Sequence, residues 1–108
     1  MVILTVSINI RSGKRRELLS TFRVITDKTH RENGCVDCRI YQDISNENII
    51  NLEETWKRRT DLDGYFCSDI FSVLLGAVKM LGKTYELRIN DSAQTEGMEA
   101  IRNARREK

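Results

Sequence analysis

Apolar and polar residues alternate from the start of the chain: Val2, Leu4, Val6, Ile8 and Ile10 are interleaved with Ile3, Thr5, Ser7 and Asn9. A period of two puts the first set on one side of an extended backbone and predicts a strand. Arg11-Ser12-Gly13 interrupts it, and Ser12 is placed to cap a following helix. From Lys14 to about Arg31 the period changes. Leu18, Leu19, Phe22 and Ile25 recur at spacings of three and four, one helical stripe. Asn33-Gly34 ends that helix, with the glycine free to turn left-handed. Cys35 to Asp43 predicts a second strand, with Val36, Cys38 and Ile40 on one face and Tyr41 on the other. After the turn Ile44 to Asn48, Ile49 to Trp56 predicts a third. Strands this close in sequence pair most simply as an antiparallel hairpin. Asp61 is placed to cap a short helix through Phe66. Ser68 or Asp69 opens a longer helix, in which Ile70, Val73, Leu74, Ala77 and Leu81 form a core-facing stripe. Gly82 closes it, and Lys83 to Ile89 alternates again.

The order β-α-β-β-α-β predicts a ferredoxin-like α+β fold, a four-stranded antiparallel sheet with helices on one face. It occupies residues 1–90. Residues 91–108 form a charged helical extension with a thin stripe of Met98, Ile101 and Ala104, expected to dock on the body or on a partner subunit, or to fray. The second face of the sheet carries Ile3, Ile49 and either Tyr41 or Ile40, and apolar groups there need a cover. The simplest cover is a second copy of the sheet across a two-fold axis, so a homodimer is predicted, a dimeric α+β barrel.

Composition narrows the function classes. With 108 residues, 40% hydrophobic and 31% charged, and a net charge of +2, the chain suits one ordinary globular domain. Basic residues are scattered over Lys14 to Arg16, Lys57 to Arg59 and Arg102 to Lys108, without the aromatic interleaving that tracks a nucleic-acid strand, so no nucleic-acid partner is expected. No apolar run approaches the ~20 residues that span a bilayer, and the alternating N-terminus reads as a strand rather than a signal peptide. No membrane partner and a cytoplasmic location are expected. Three cysteines, an odd number, argue against a disulfide framework. Cys35 and Cys38 have C-x-x-C spacing, but only Cys67 and the single His30 could complete a zinc site. On a regular strand residues three apart face opposite ways, so buried structural thiols are expected and no metal. Gly76 and Gly82 lie within and at the end of a helix and make no phosphate loop. No cofactor is expected.

Glu54 and Trp56, two apart on a strand, share a face. If helices cover it, desolvation raises the pKa of Glu54 and makes it a proton acceptor near neutral pH. Its plainer role is an ion pair with an arginine such as Arg39 on the neighbouring strand. His30, near the end of the first long helix, either meets the helix dipole or serves as an acid or base at a pocket mouth. Trp56, Tyr65, Phe66 and Phe71 serve either as core or as the wall of an aromatic site. Tyr65 follows Gly64 in a short, weakly stabilised helix, and such elements flank pockets. Asn51 and Asn9 are polar residues in apolar strands and need a hydrogen-bond partner or a ligand. The candidate set is Glu54 and His30 for catalysis, and Asn51, Trp56, Tyr65, Phe66 and Phe71 for binding. Nothing forms a Ser-His-Asp arrangement.

With these residues in order, the chain resembles the antibiotic biosynthesis monooxygenase domain family, the quinol-monooxygenase-like branch of the dimeric α+β barrels. The resemblance covers roughly Met1 to Ile89. It is carried by HRENGC from His30 to Cys35, E-x-W at Glu54 and Trp56, D-L-D at Asp61 to Asp63, S-x-x-F at Ser68 to Phe71, and L-L-G ending in Gly76. The resemblance implies a homodimer and a pocket between each sheet and its own helices. Active members oxidise phenols or quinols with O₂ and no metal or flavin: the protein deprotonates the phenol and the anion reacts with O₂. The chain departs at Tyr65, where the family often has a His. A related branch that degrades haem uses a His on the last long helix, and Val73 to Gly76 supplies none. The expected function is oxidation of a small aromatic quinol or phenol. The alternative is a non-catalytic small-ligand-binding or stress-associated domain of the same fold.

Overall fold

The computed structural model describes residues 1–91 and 96–106. Its elements are β1 (Val2–Ile10), α1 (Arg15–Thr29), β2 (Cys35–Gln42), β3 (Ile49–Trp56), α2 (Arg59–Phe66), α3 (Asp69–Leu81), β4 (Gly82–Asp91) and α4 (Met98–Arg106). The strands form one sheet in the order β2-β3-β1-β4, and every pairing is antiparallel. This is the ferredoxin-like α+β arrangement that the alternating periods predict.

Alternation in β1 becomes alternation of burial: Val2, Leu4, Val6, Ile8 and Ile10 are buried and the residues between them half-buried. In β3, Ile50, Leu52 and Glu54 pair with Ile8, Val6 and Leu4, so they and Trp56 share that covered face. Over it α1 lays Leu18, Phe22, Ile25 and Thr29, and α3 lays Leu74, Val78 and Leu81. Burying a large apolar side chain stabilises by roughly 1.5–3 kcal/mol, and several per helix outweigh one cap, so packing decides how each helix is turned. In α3 it overrides the expected stripe: Val73 is 57% exposed, and Val78 enters the core. The helix is apolar around most of its circumference, so several stripes fit its period.

Two expected N-caps are replaced, and α1 ends at Thr29 with His30 as its C-cap, so Asn33-Gly34 turns the loop into β2 instead of ending the helix. Gly13, at φ +79°, turns the chain before α1, and the N-cap is Lys14 without a side-chain bond, not Ser12. Helix α2 begins at Arg59 behind an uncapped Arg58, which leaves Asp61 inside its first turn, where its charge suits the helix dipole. Ser68 does cap α3, its hydroxyl accepting the Phe71 N–H at 3.2 Å.

The other face of the sheet is mixed. Tyr41 pairs with Asn51 on that face, whereas Ile40 pairs with Leu52 and packs against the core. Ile3, Ile49 and Tyr41 lie there among Thr5, Ser7, Asn9, Glu53 and Thr55. Only Gly82 is buried in β4. Helix α4 buries no residue. Of the expected extension, residues 92–95 and 107–108 lie outside the described residues. No single helix among the described residues is long and apolar enough to cross a membrane.

Candidate active site

Strand β3 delivers Glu54 and Trp56 to the covered face, and α2 returns above them with Tyr65. Glu54 is completely buried. Its Oε2 accepts the Tyr65 hydroxyl at 3.0 Å and its Oε1 accepts the Trp56 indole N–H at 3.3 Å. Among the described residues no cation pairs with it. Arg39 sits opposite Glu53, on the other face, and pairs with Asp37 at 2.6 Å. The register thus excludes the Glu54–Arg39 ion pair.

A carboxyl held this way favours its neutral form. Loss of hydration dominates and raises the Glu54 pKa from 4.5 to about 7, while the two hydrogen bonds from Tyr65 and Trp56 pull it back. Burial first, then the nearby carboxylate, also raises the Tyr65 phenol above its ordinary value. The Tyr65 hydroxyl lies 3.4 Å from the hydroxyl of Thr29, which in turn donates to the Ile25 carbonyl at 2.8 Å.

The two closely spaced cysteines lie beside this group. A bulge between Cys35 and Asp37 absorbs one residue, so that Cys35 pairs with Trp56 and Cys38 with Glu54. Both cysteines therefore turn toward the covered face, where a regular strand would have separated them. Burial, then the charge of Glu54, pushes the Cys35 thiol up to about 11 and the Cys38 thiol to about 12. They are protonated, unreactive thiols at neutral pH. Among the described residues no three His, Cys, Asp or Glu side chains converge to hold a metal ion.

The aromatic residues form a continuous series. Trp56 and Tyr65 have ring centroids 4.7 Å apart, Tyr65 and Phe71 5.4 Å, and Phe71 and Phe66 4.9 Å. A cavity of about 290 Å³ lies between the α1–β2 loop and α2, lined by Glu32, Asn33, Trp56, Thr60, Asp61, Gly64 and Tyr65. Trp56 and Tyr65 are nonetheless buried side chains, and Glu54, Phe66 and Phe71 line none of it. One wall depends on Gly34, at φ +88°. A β-carbon on that residue would lie 2.3 Å from the Asp61 side chain, so a glycine is what lets the α1–β2 loop close against α2.

The fold thus joins Glu54, Trp56 and Tyr65, with Phe71 and Phe66 extending the aromatic series. It separates Asn51, which points to the opposite face of the sheet and lines a different cavity of about 220 Å³ with Thr5, Ser7, Glu86 and Arg88. Strand parity accounts for this, since positions 51 and 54 differ by an odd number. His30 is exposed at the C-cap of α1 and takes no part in the hydrogen bonds of Glu54. Thr29, Glu32, Asn33 and Thr60 join the site only through tertiary packing. The motifs HRENGC and D-L-D flag the loop and the helix turn that hold three of them.

Residues 1–74 match the family described as antibiotic biosynthesis monooxygenase. The chain belongs to that family. Its fold is shared by a conserved protein from Methanosarcina mazei Go1, at TM-score 0.79 and 23% identity, over 84% of this chain and 91% of that one. A solved antibiotic biosynthesis monooxygenase superposes at TM-score 0.78 with 18% identity, over 87% of this chain and 100% of that one. At these identities the likeness concerns the fold. An uncharacterized protein of Synechocystis sp., sll1783, is 23% identical over 96 residues. The match takes in 88% of this chain but spans only 65% of that relative's length.

Proposed function

We propose that the chain oxidises a small phenol or quinol with O₂, using Glu54 as the proton acceptor. The observation that carries this reading is a wholly buried carboxyl, without a cation among the described residues, whose pKa of about 7 suits base chemistry at neutral pH. The substrate would occupy the cavity beside α2; Trp56 and Tyr65 are buried there, so α2 must give way for the substrate hydroxyl to reach the Tyr65 oxygen. Glu54 lines none of the cavity, whereas Tyr65 lines it and is bonded to Glu54, so Tyr65 relays: it accepts the substrate proton as it gives its own to Oε2. Its raised pKa keeps tyrosinate from accumulating, so the two transfers are concerted. A hydroxyl both accepts and donates, which lets Tyr65 stand where the family often has a His. The phenolate then gives electrons to O₂. One oxygen atom enters the ring, the other leaves as water, and a quinone results.

A second reading, a domain that binds an aromatic ligand without turning it over, is favoured by one fact: Glu54 forms no part of the cavity wall. The two readings separate on phenol and hydroquinone oxidation followed in air and under argon. Acceleration by the protein in air alone supports catalysis. Rates equal to buffer, with quenching of Trp56 fluorescence on ligand addition, support binding alone. In the same proposal two copies join through the open face around Ile3, Tyr41 and Ile49. Light scattering should then give the mass of two chains, and the mass of one would overturn the dimer.

A further inference from the structure

A base that takes a proton must then hold it, and the donors and acceptors around Glu54 leave few ways to do so. Oε1 faces the indole N–H of Trp56 at 3.3 Å, and an indole only donates. Elsewhere on the carboxyl the acquired proton would be a buried donor without an acceptor among the described residues, so it sits on Oε2, directed at the Tyr65 oxygen 3.0 Å away. Two hydrogens cannot share that line, so Tyr65, which donates to the ionised carboxylate, must turn its own hydrogen elsewhere. Among the described residues, the hydrogen-bond partners of the Tyr65 hydroxyl are Glu54 and Thr29. Thr29 is free to accept, because its own hydrogen is engaged by the Ile25 carbonyl at 2.8 Å.

We propose that Thr29 is the positioning residue that lets Glu54 hold a proton: its hydroxyl receives the Tyr65 hydrogen bond only while Glu54 is protonated. The chain of bonds then runs one way, from Glu54 to Tyr65 to Thr29 to the Ile25 carbonyl. On ionisation its first link reverses, and Tyr65 donates to Glu54. A second observation sets Thr29 apart. It falls at a core position of the α1 stripe, after Leu18, Phe22 and Ile25, and it and Glu54 are the buried polar residues of the core. Packing alone would be served there by valine. The other titratable groups near Glu54 are Tyr65 of α2 and Cys35 and Cys38 of β2, and burial keeps all three protonated through neutral pH. The carboxyl is the member of the group that changes state.

This inference deepens the reading of Glu54 as a base and rests on it for its purpose, but its test needs no turnover. Glutamate carboxyl carbons labelled with ¹³C are titrated by NMR from pH 5 to 9 in the substrate-free protein, and Glu54 is assigned by its loss in Glu54→Gln. Thr29→Val should lower the Glu54 midpoint by about 0.5 to 1 unit, the equivalent of one lost hydrogen bond to the protonated form. Thr29→Ser should restore it. In a Tyr65→Phe background, adding Thr29→Val should move nothing. An unchanged or raised midpoint in Thr29→Val, failure of Thr29→Ser to restore it, or a further shift in the double variant would overturn the proposal. If Thr29→Val does not fold, Thr29→Ala carries the same prediction. A protein that passes this titration yet oxidises no phenol leaves Thr29 in its role and removes the reaction.

Discussion

Replacing Glu54 by glutamine should abolish a dependence of stability on pH that this one carboxyl imposes. In the folded chain Glu54 keeps its proton until about pH 7, whereas the unfolded chain releases it near 4.5. Between those values the folded state binds more protons, so the free energy of unfolding falls as pH rises. The contribution is whole below about pH 4.5 and is lost as pH climbs through 7. At ~1.4 kcal/mol per unit, the interval from 4.5 to about 7 amounts to about 3 kcal/mol. Glutamine has nearly the same shape and does not titrate. Urea unfolding can be followed through the fluorescence of Trp56, the one tryptophan and a fully buried one. Measured at pH 5 and pH 9 and at one protein concentration, the wild type should lose about 3 kcal/mol relative to Glu54→Gln, a relative shift in melting temperature on the order of 10 °C. Groups that titrate in both proteins cancel in the difference. A difference between the two proteins that stays within about 1 kcal/mol across this range would refute the burial of an unpaired carboxyl.

Two further outcomes test the scaffold. Gly34→Ala should cost about 2 kcal/mol or more, because it combines a left-handed backbone with a side chain driven into Asp61, whereas Gly13→Ala, left-handed but in open space, should cost about 1 kcal/mol. Thermal denaturation of both variants reads the gap, and equal losses would mean that the loop does not close on α2 as described. Ser68→Ala removes the acceptor for the Phe71 N–H and should cost about 1 kcal/mol by the same assay. A neutral effect would show that α3 needs no cap.

Much of the fold can be read from two periods. The alternation in β1 and β3, and the stripes of α1 and α3, lead to one sheet with helices on one side, and Glu54 with Trp56 on its covered face follows from their spacing of two. Other features depend on events that no period records. A single bulged residue turns Cys35 and Cys38 to the same side. Val73 and Val78 fit the helical period of α3 about equally well, and only packing into the shared core chooses between them. Asn51 illustrates a different limit: its polarity in an apolar strand marks it as a candidate, and strand parity places it on the face opposite Glu54. Thr29 was hidden because one threonine at the end of an apolar stripe has meaning only once Tyr65 lies above it.

The site also carries an internal opposition. Ionisation of Glu54 makes it a base and at the same time removes the stability that its neutral form contributes, so activity and stability should vary with pH in opposite directions. The most direct test is the initial rate of O₂ uptake with phenols and hydroquinones from pH 5 to 9, for the wild type and Glu54→Gln. The wild-type rate should rise through a midpoint near 7, and Glu54→Gln should lose about 10²- to 10⁴-fold of it together with that midpoint. A Glu54→Gln protein with the wild-type rate and profile, or a wild type no faster than buffer, would contradict the role assigned to Glu54.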